Sequence, residues 1–384
     1  MAAPATSGLQ VIFMDAGQGD CTLIVYPDNS LTLVDCGSTK NGDQAFGQIW
    51  EVLSRYLPLN KNKLNNLVLT HPDEDHYNKL SYLLTRKDPP TIEQIYYGGT
   101  LKAYRNKRES NLTFDYLSSH KECSLPANTH SAEPDKNLSR AGVKVTILAA
   151  NSTGNPRNNA TLLTANSTGD RHMTAVVKNT NSIVLMVEFG PAKLFLMGDA
   201  FVETEAEIMR VLDKADKLGI LQKGAGVEET VLKMGHHGSD TSTGPEWVKA
   251  VGPGILVVSS ATKTFRTKGM PTKTKMENTV LAAGSTLNKD TGIAMPYVVY
   301  VGGGKDTAFV AAPATTQGIW TTCFGVTWVP ASGSDKARWY EAGQTWYYGV
   351  TQDKKLPPCR WYAYTGFEEE EEEEKDDDEA MGND

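Results

Sequence analysis

Short apolar runs separated by turn residues alternate along the chain with stretches of helical spacing. The uninterrupted run Leu67–Leu69 is typical of a strand buried on both faces, whereas Phe46, Ile49 and Leu53 recur at the spacing of a helix face. The predicted strands are 9–14, 22–26, 31–34, 67–70, 143–148, 182–189, 194–197, 231–234 and 255–259. The predicted helices are 45–56, 76–85, 202–212, 247–251 and 276–283.

The order of the predicted elements indicates the fold class. Hairpins alternate with helices twice along the chain, which fits neither a simple doubly wound βαβ series nor an all-β sandwich. We expect an α+β fold over residues 8–305, in which two mixed β-sheets stack face to face with helices on both outer sides. Residues 306–367 hold five of the seven Trp and little helical pattern, and we expect them to form a β-rich C-terminal appendage.

The charge of the chain is divided between its body and its last residues. Residues 368–384 carry twelve acidic residues and one Lys, a net charge of −11, whereas 34 acidic and 37 basic residues leave the rest at +3. Such a segment cannot bury enough apolar surface to fold, so residues 368–384 are predicted to be a disordered acidic tail. The tail either keeps the protein in solution or mimics a nucleic acid and covers a basic groove, and its partner is unknown.

Cysteine usage and the start of the chain predict a cytoplasmic protein. No apolar run approaches the roughly 20 residues that span a membrane, and residues 1–8 show no signal-peptide pattern. The cysteines are odd in number, widely spaced and without a CxxC pair, which favours a reducing compartment over a disulfide framework. They are Cys21, Cys36, Cys123, Cys323 and Cys359.

The strongest chemical signal is the segment Thr70–His76, which lies where a buried strand ends and a helix begins. Its two His and two Asp are close enough to converge on one site, and divalent ions such as zinc accept this mixture of imidazole and carboxylate. The alternative is a surface loop whose acids stabilise the start of a helix, but that explains single acids better than four ordered ligands. The predicted metal ligands in this segment are His71, Asp73, Asp75 and His76.

Two further strand ends carry residues of the same kind. One apolar strand ends in Gly198 and Asp199, and another ends in the paired histidines His236 and His237. Either motif alone is compatible with a structural role. Four of the seven histidines fall in the two histidine-containing strand-end motifs, so we predict that Asp199 and at least one of the paired histidines join the metal site.

Together these motifs resemble the metallo-β-lactamase superfamily, in particular the branch typified by the hydrolase domain of the competence protein ComEC. Residues 13–20 resemble the DVGQGD start of that branch, and residues 33–37 resemble its LIDxG motif. Residues 70–76 resemble THPHxDH, residues 197–199 resemble TGD, and residues 236–239 resemble HHGS. The resemblance implies the four-layered αββα fold over residues 11–283 and does not extend to the predicted appendage.

The resemblance implies one or two divalent metal ions, zinc or manganese, as cofactors. One ion would take His71, Asp73 and one of the paired histidines, for which we assign His236. The other ion would take Asp75, His76 and a final histidine, and Asp199 would bridge both ions.

Two residues depart from the family pattern. Asp73 stands where the family has a histidine, which favours harder metal ions. Met270 stands where the family has its final histidine, and a thioether is a poor ligand for zinc or manganese. The second ion would then have only three protein ligands and bind more weakly.

The resemblance also implies a hydrolytic mechanism, in which a hydroxide bridging the two ions attacks the substrate. Asp75, His236 and His237 are the expected catalytic residues, since the histidine that does not bind metal would donate a hydrogen bond to the transition state or leaving group. Asp20 would orient a ligand histidine or a water molecule from behind, or it only caps its own turn.

Basic residues outside the metal site indicate an anionic substrate. One cluster surrounds Met270, in a loop that borders the site in the family, and a second one, at residues 102–108, includes Tyr104. Basic groups follow phosphates and aromatic rings stack on bases, although a solvated charged surface has the same composition. The predicted substrate-binding residues of the first cluster are Lys263, Arg266, Lys268 and Lys273.

These features predict a phosphodiesterase or nuclease whose partner is DNA, RNA or another phosphodiester. A hydrolase of small esters, lactones or amides is one alternative, because the fold does not fix the substrate. A non-catalytic relative that binds ligands through a degenerate second metal site is another.

Overall fold

The computed structural model describes residues 8–39, 42–105, 111–119, 125–126, 129–152, 175–221, 230–260, 270–284, 296–301, 318–321, 323–329, 336–341 and 344–345. The strands are β1 Leu9–Met14, β2 Thr22–Val25, β3 Leu31–Val34, β4 Lys63–Leu69, β5 Thr91–Tyr97, β6 Lys144–Ala149, β7 Val184–Phe189, β8 Ala192–Leu196, β9 Thr230–Lys233, β10 Ile255–Ser259, β11 Tyr297–Val301, β12 Gly318–Thr321, β13 Cys323–Val329, β14 Lys336–Glu341 and β15 Gln344–Thr345. The helices are α1 Gly42–Tyr56, α2 Glu74–Tyr77, α3 Leu80–Leu84, α4 Leu112–Ser118, α5 Ala175–Thr180, α6 Val202–Lys214, α7 Pro245–Val251 and α8 Lys273–Gly284.

The strands form two mixed sheets. The first has the order β15-β14-β13-β1-β2-β3-β4-β5, and the second has the order β12-β11-β10-β9-β8-β7-β6. In the first sheet β3, β4 and β5 run parallel to one another, and in the second sheet the strands from β8 to β12 are parallel. Each sheet therefore has a parallel half whose strands end at a common edge.

Three apolar clusters separate four layers. Alternate residues of β1 show the arrangement, because Leu9, Val11 and Phe13 join the cluster between the two sheets, whereas Ile12 and Met14 face the other way. That second cluster lies between the first sheet and α1 to α4, and a third cluster lies between the second sheet and α6 to α8. Sheets buried on both faces explain why several strands are continuous apolar runs. The predicted α+β arrangement of two sheets between helices is confirmed.

The C-terminal strands extend these sheets. β13 pairs antiparallel with β1 from Leu9↔Trp328 to Met14↔Cys323, and β12 pairs parallel with β11. Both pairings satisfy backbone groups of strands that would otherwise be sheet edges. The β-rich segment predicted at 306–367 thus contributes its described strands to the two sheets, where the sequence suggested an appendage. The limits predicted at 305/306 and 367/368, and the acidic tail, lie outside the described residues.

The predicted helix 76–85 is two short helices, α2 and α3. The amide of Asn78 donates to the carbonyl of Ser38 and its oxygen accepts the N–H of Ser38, at 2.8 and 2.9 Å. The N–H of Lys79 donates to the carbonyl of Cys36. These bonds tie residues 78 and 79 to the segment after β3 and interrupt the helix between the two pieces. None of the helices in the described ranges is both long and apolar enough to cross a membrane.

A buried acid and a buried lysine hold the loop 239–244 in place. Glu205 of α6 is fully buried, and its carboxylate accepts the N–H groups of Thr243 and Gly244. From α8, the Lys275 ammonium donates to the carbonyl oxygens of Ser242 and Thr243. Burial raises the pKa of Glu205 to about 7, against the opposing effect of the two amides and of Lys275.

The raised pKa of Glu205 predicts a specific dependence of stability on pH. The folded protein binds a proton here more tightly than the unfolded chain, so this stabilisation is complete below the ordinary pKa near 4.5 and is lost as pH rises through about 7. The loss is on the order of 3 kcal/mol at most. Glu205→Gln, which stays neutral, should flatten the fall in the free energy of unfolding between pH 4.5 and 7, measured by urea denaturation.

Glu246→Gln is the matched control, since Glu246 is an exposed acid of α7. It should leave the pH profile of the unfolding free energy as it is in the unaltered protein. A Glu205→Gln profile that still falls with the original slope would contradict the assignment.

Candidate metal centre

Strand ends from both sheets meet at one edge of the molecule. In the first sheet β3 leads into Asp35 and β4 leads into His71, and in the second sheet β8 leads into Asp199 and β9 leads into His236. The carboxyl ends of strands are the usual place for a binding site in sheets with parallel connections. Residues far apart in the sequence are thus brought to one point.

Four side chains at this edge, which we call the buried donor set, converge on a common centre. They are the buried His76, Asp199 and His237 together with the half-buried Asp75. The Nε2 atom of His76 lies 3.3 Å from Asp199 Oδ1, and the Nε2 atom of His237 lies 3.6 Å from the same oxygen and 3.3 Å from Asp75 Oδ2. Two imidazole nitrogens and two carboxylates therefore face one another.

The donor set has polar atoms that nothing in the described part of the chain satisfies. The Nε2 atoms of His76 and His237 and the Oδ1 atom of Asp199 are buried and have no hydrogen-bond partner among the described residues. Buried polar atoms are normally paired, because an unpaired one costs about 1–3 kcal/mol. Two nitrogen and two carboxylate ligands fit a divalent cation, which would satisfy all of these atoms at once.

Hydrogen bonds behind the two imidazoles fix their orientation. His76 Nδ1 lies 2.8 Å from Asp35 Oδ2, and His237 Nδ1 lies 3.1 Å from the carbonyl oxygen of Ser259. Each Nδ1–H donates to its oxygen, so each Nε2 points at the centre with its lone pair. Such partners behind the ligands raise ligand basicity and keep the ring in place. Sequence reasoning missed the role of Asp35, although its motif was recognised.

The imidazoles and carboxylates of the donor set shift one another's pKa values. Burial alone would raise the pKa of Asp199, but the surrounding histidines hold that pKa well below its usual range. Burial alone would lower the pKa of His76 and of His237, but the facing carboxylates raise both. The imidazoles and the carboxylates thus stabilise each other's charged forms, and any proton on a ligand nitrogen must leave when a cation binds.

The paired histidines have an unusual backbone conformation. His236 (φ 47°, ψ 46°) and His237 (φ 52°, ψ 27°) are both left-handed, which costs roughly 1–3 kcal/mol for each non-glycine residue. The benefit is that consecutive side chains lie on different sides of Asp199, with His236 3.8 Å from Oδ2 and His237 3.6 Å from Oδ1. The pair therefore contributes to two groups of donors.

Two motif glycines bring the surrounding loops against Asp75. A Cβ atom on Gly19 would lie 2.4 Å from the carbonyl oxygen of Asp75, and one on Gly37 would lie 2.0 Å from it. Any side chain at either position would push α2 away from the centre. These close approaches explain Gly19 in the turn 15–20 and Gly37 in the segment 33–37.

His71, Asp73 and His236, which we call the outer donors, lie nearest Oδ2 of Asp199 or each other. His71 also has a ligand atom within 4.8 Å of His76, and its buried Nε2 atom has no hydrogen-bond partner among the described residues. His71 Nε2 lies 3.7 Å from Asp73 Oδ2 and 3.6 Å from Asp199 Oδ2. Lys178 Nζ, however, lies 2.8 Å from the other oxygen of Asp73, and Asn179 Nδ2 lies 3.4 Å from His236 Nε2. Sequence reasoning missed both residues. Because an ammonium group already neutralises Asp73, the outer donors form the weaker candidate site.

The sequence predicted only three protein ligands for the second ion, whereas the structure places a fourth candidate ligand beside them. The reasoning relied on Met270, but His237 supplies the nitrogen that faces Asp75 and His76. Met270 is half-buried and precedes Pro271, whose ring packs against Gly238 immediately after the paired histidines. The left-handed turn at His237 is what directs its side chain to this position, and spacing in the sequence does not reveal it.

Asp20 lies close to the centre but does not hold His237. Its Oδ1 atom is 3.7 Å from His237 Nδ1, which is too long for a hydrogen bond, and Ser259 takes that role. The carboxylate of Asp20 instead forms an ion pair with Lys233, whose Nζ lies 2.8 Å from Oδ1. The N–H of Asp20 donates to the carbonyl of Asp75.

The basic residues predicted to bind substrate are mostly beyond the described structure. Lys263, Arg266 and Lys268 lie outside the described residues, and Lys273 begins α8. In the second cluster, Tyr104 is fully buried and its hydroxyl donates to the carbonyl of Gly98. Tyr104 is therefore a core residue, and the idea that it stacks on nucleic-acid bases is wrong.

The part of the chain that carries the candidate metal centre is similar in sequence to known proteins. The family model described as "Metallo-beta-lactamase superfamily" matches residues 14–261. "Recombination protein 2" of Haemophilus influenzae is 29% identical over 252 residues, which are 65% of this chain and 24% of that protein. "ComE operon protein 3" of Bacillus subtilis is 24% identical over 261 residues, which are 65% of this chain and 28% of that protein. The chain thus spans about a quarter of each of these curated relatives.

A solved structure shows a more distant likeness. CmlA, a diiron β-hydroxylase from Streptomyces venezuelae, is 10% identical, with 67% of this chain and 46% of that chain covered and a TM-score of 0.32.

The donor geometry predicts that Asp199 is needed for metal binding. Asp199→Ala removes the carboxylate that faces both groups of donors, so the purified variant should lose most of the zinc or manganese that the unaltered protein retains. Elemental analysis after dialysis measures this content. His130→Ala is the control, because His130 lies outside the centre and bonds the carbonyl of Leu148. A folded Asp199→Ala protein with full metal content would contradict the assignment.

The ion pair between Lys178 and Asp73 predicts that Lys178 lowers the affinity of the outer donors for a second metal ion. Lys178→Met removes the ammonium that neutralises Asp73 and that would repel a cation at the outer donors. Calorimetric titration with Mn²⁺ should show one tight and one weak site in the unaltered protein, with the weak site tightened about tenfold in the variant. Lys144→Met, at an exposed lysine of β6, should change neither affinity. An unchanged weak site in Lys178→Met would contradict the proposed role of the lysine.

Proposed function

We propose that this chain, which belongs to the metallo-β-lactamase superfamily, is a metal-dependent phosphodiesterase that acts on nucleic acid. The superfamily and its fold were predicted from five ordered motifs, and both are confirmed by the family model over residues 14–261. The buried donor set fits the metal-dependent hydrolases of this fold. The phosphodiester substrate is the proposal.

The observation that supports a phosphodiester is the charge beside the donors. The Lys178 ammonium lies 2.8 Å from Asp73, with its side chain 23% exposed, at the outer donors rather than within the core. It is placed to contact an anionic oxygen of a substrate that reaches the centre. A phosphodiester is negatively charged from binding through to hydrolysis, so this ammonium group would favour it at both stages. Neutral esters, lactones and amides would gain from the ammonium group only as an oxyanion develops during their hydrolysis.

The residues of the chain divide the chemical tasks among them. A divalent cation held by the buried donor set would supply a Lewis acid and lower the pKa of a water molecule. His76 and His237 are kept in position by Asp35 and Ser259, so the donors need little rearrangement during the reaction.

His236 is the histidine of the centre that is partly exposed, at 23% of its side chain. Burial lowers the pKa of His236 despite the nearby Asp199 carboxylate, so the ring is neutral at pH 7. Its Nδ1 atom lies 2.8 Å from Thr241 Oγ1, and its Nε2 atom lies 3.4 Å from the Asn179 amide nitrogen. In the tautomer whose Nδ1–H donates to Thr241, Nε2 would be the atom that takes a proton from an attacking water, in exchange for the long contact with Asn179.

Three further observations support nucleic acid as the phosphodiester substrate. A protein named "Recombination protein 2" is among the relatives, and recombination acts on DNA. The body of the chain, without residues 368–384, carries a net charge of +3, and the predicted basic loop with Lys263, Arg266 and Lys268 follows the strand that bears Ser259. Cationic groups along such a surface would bind a phosphate backbone with an affinity that falls as salt rises.

A comparison of substrates tests the proposal. The Mn²⁺- and Zn²⁺-loaded protein should cleave single-stranded DNA and bis(p-nitrophenyl) phosphate, and should act poorly on p-nitrophenyl acetate and on a simple lactone. His76→Ala should reduce kcat/KM for the phosphodiester by a factor on the order of 10² or more, because one of the nitrogen donors is lost. The control His130→Ala should retain full activity.

The pattern of substrates separates the alternatives. Hydrolysis of the ester or lactone without cleavage of either phosphodiester would replace the proposal with a small-ester hydrolase. A protein that binds metal and DNA but cleaves nothing would be a binding relative, and the phosphodiesterase assignment would be wrong.

A further inference from the structure

Lys233 is a fully buried lysine that the proposed reaction does not use. It is the last residue of β9, and its side chain is 2% exposed. Its Nζ lies 2.8 Å from Oδ1 and 2.9 Å from Oδ2 of Asp20, so both oxygens of that carboxylate face one ammonium group. The pair joins the two sheets, since Asp20 precedes β2 of the first sheet and Lys233 ends a strand of the second.

Asp20 lies within reach of the cation that the donor set would hold. Its carboxylate, Asp199 and His237 have ligand atoms within 4.8 Å of one another, and so do Asp20, Asp35 and His76. The N–H of Asp20 donates to the backbone carbonyl of Asp75, which fixes Asp20 beside the donors. A buried carboxylate this close to a divalent cation would normally be drawn into its coordination sphere.

The ion pair opposes that movement. Separating the pair would leave a buried ammonium group without its carboxylate, so Lys233 competes with a bound cation for Asp20. Burial would raise the pKa of Asp20, but Lys233, His237 and His76 lower it below the ordinary value. Asp20 is thus a charged carboxylate that lies next to the two nitrogen and two carboxylate donors but is paired with Lys233.

We propose that Lys233 is a positioning residue that sets the metal preference of the centre by keeping Asp20 out of the coordination sphere. With Asp20 withheld, the cation meets two imidazoles and two carboxylates, a set that suits zinc and other borderline ions. With Asp20 released, a third carboxylate would join, and oxygen-rich sets favour manganese and magnesium. The inference rests on the metal centre proposed above, and its test does not use hydrolysis.

The test compares metal affinities in three proteins. Lys233→Met keeps the length of the side chain without its charge, and should raise the ratio of Mn²⁺ to Zn²⁺ affinity about tenfold, measured by competitive titration. The visible spectrum of the Co²⁺-loaded protein should change from intense four-coordinate bands in the unaltered chain to weaker five-coordinate bands in the variant. The double variant Lys233→Met with Asp20→Asn should restore the original ratio and spectrum.

The metal affinities and the Co²⁺ spectrum of Lys233→Met test the proposal first, and the double variant tests it if Lys233→Met does not fold. An unchanged affinity ratio and Co²⁺ spectrum in Lys233→Met would overturn the proposal. If Lys233→Met does not fold, the double variant, in which neither residue is charged, tests the proposal. It should bind Zn²⁺ as tightly as the unaltered protein does. A loss of Zn²⁺ affinity of tenfold or more would overturn the proposal, because it would show that Asp20 is itself a ligand. An unaltered protein that binds none of the three ions would instead contradict the metal centre.

Discussion

The burial of the Asp199 carboxylate among imidazoles is the constraint on which the rest of the structure depends. An ionised carboxylate taken out of water costs several kcal/mol unless positive charge or hydrogen-bond donors replace the solvent. Asp199 is 3% exposed, and its Oδ1 atom has no hydrogen-bond partner in the described ranges. Its stability therefore depends on the histidines around it, which carry protons or share a cation. Asp35, Asp75, His76 and His237 place their charged or ionisable groups close to this carboxylate or to one another.

The fold supplies this rigidity by bringing strand ends of both sheets to one edge. Each imidazole of the donor set has a partner behind it on a strand end, Asp35 for His76 and Ser259 for His237. The left-handed turn at the paired histidines costs backbone energy, and it persists because the loop that follows is pinned by buried polar contacts. Two lysines complete the charge balance: Lys178 and Lys233 each neutralise one carboxylate beside the donor set, which limits how many carboxylates a cation can use.

The sequence predicted the parts of this arrangement that follow from local pattern. Apolar runs located most strands, and ligand-type residues at strand ends identified His71, Asp199 and the paired histidines. The order of hairpins and helices predicted the four layers. Such features depend on residues that lie close together in the chain or that repeat with a regular period.

What the sequence did not predict depends on pairs of residues that are distant in the chain. Lys178 meets Asp73 across 105 residues and Lys233 meets Asp20 across 213, and no spacing rule joins them. The HHGS motif does not show that His237 rather than His236 joins the buried donor set, because that depends on the backbone angles of the pair. The break between α2 and α3 comes from contacts of Asn78 with Ser38 on another segment. Tyr104 appeared in a basic cluster but packs against Tyr77 and Tyr97 in the core.

The most direct test of this account is the position of the metal in crystals of the protein loaded with one equivalent of Zn²⁺, located by anomalous diffraction at the zinc edge. The account predicts a single strong peak bonded to the Nε2 atoms of His76 and His237 and to the carboxylates of Asp75 and Asp199, with Asp20 still paired to Lys233. A peak held by His71, Asp73 and His236 while the buried donor set stays empty would contradict it.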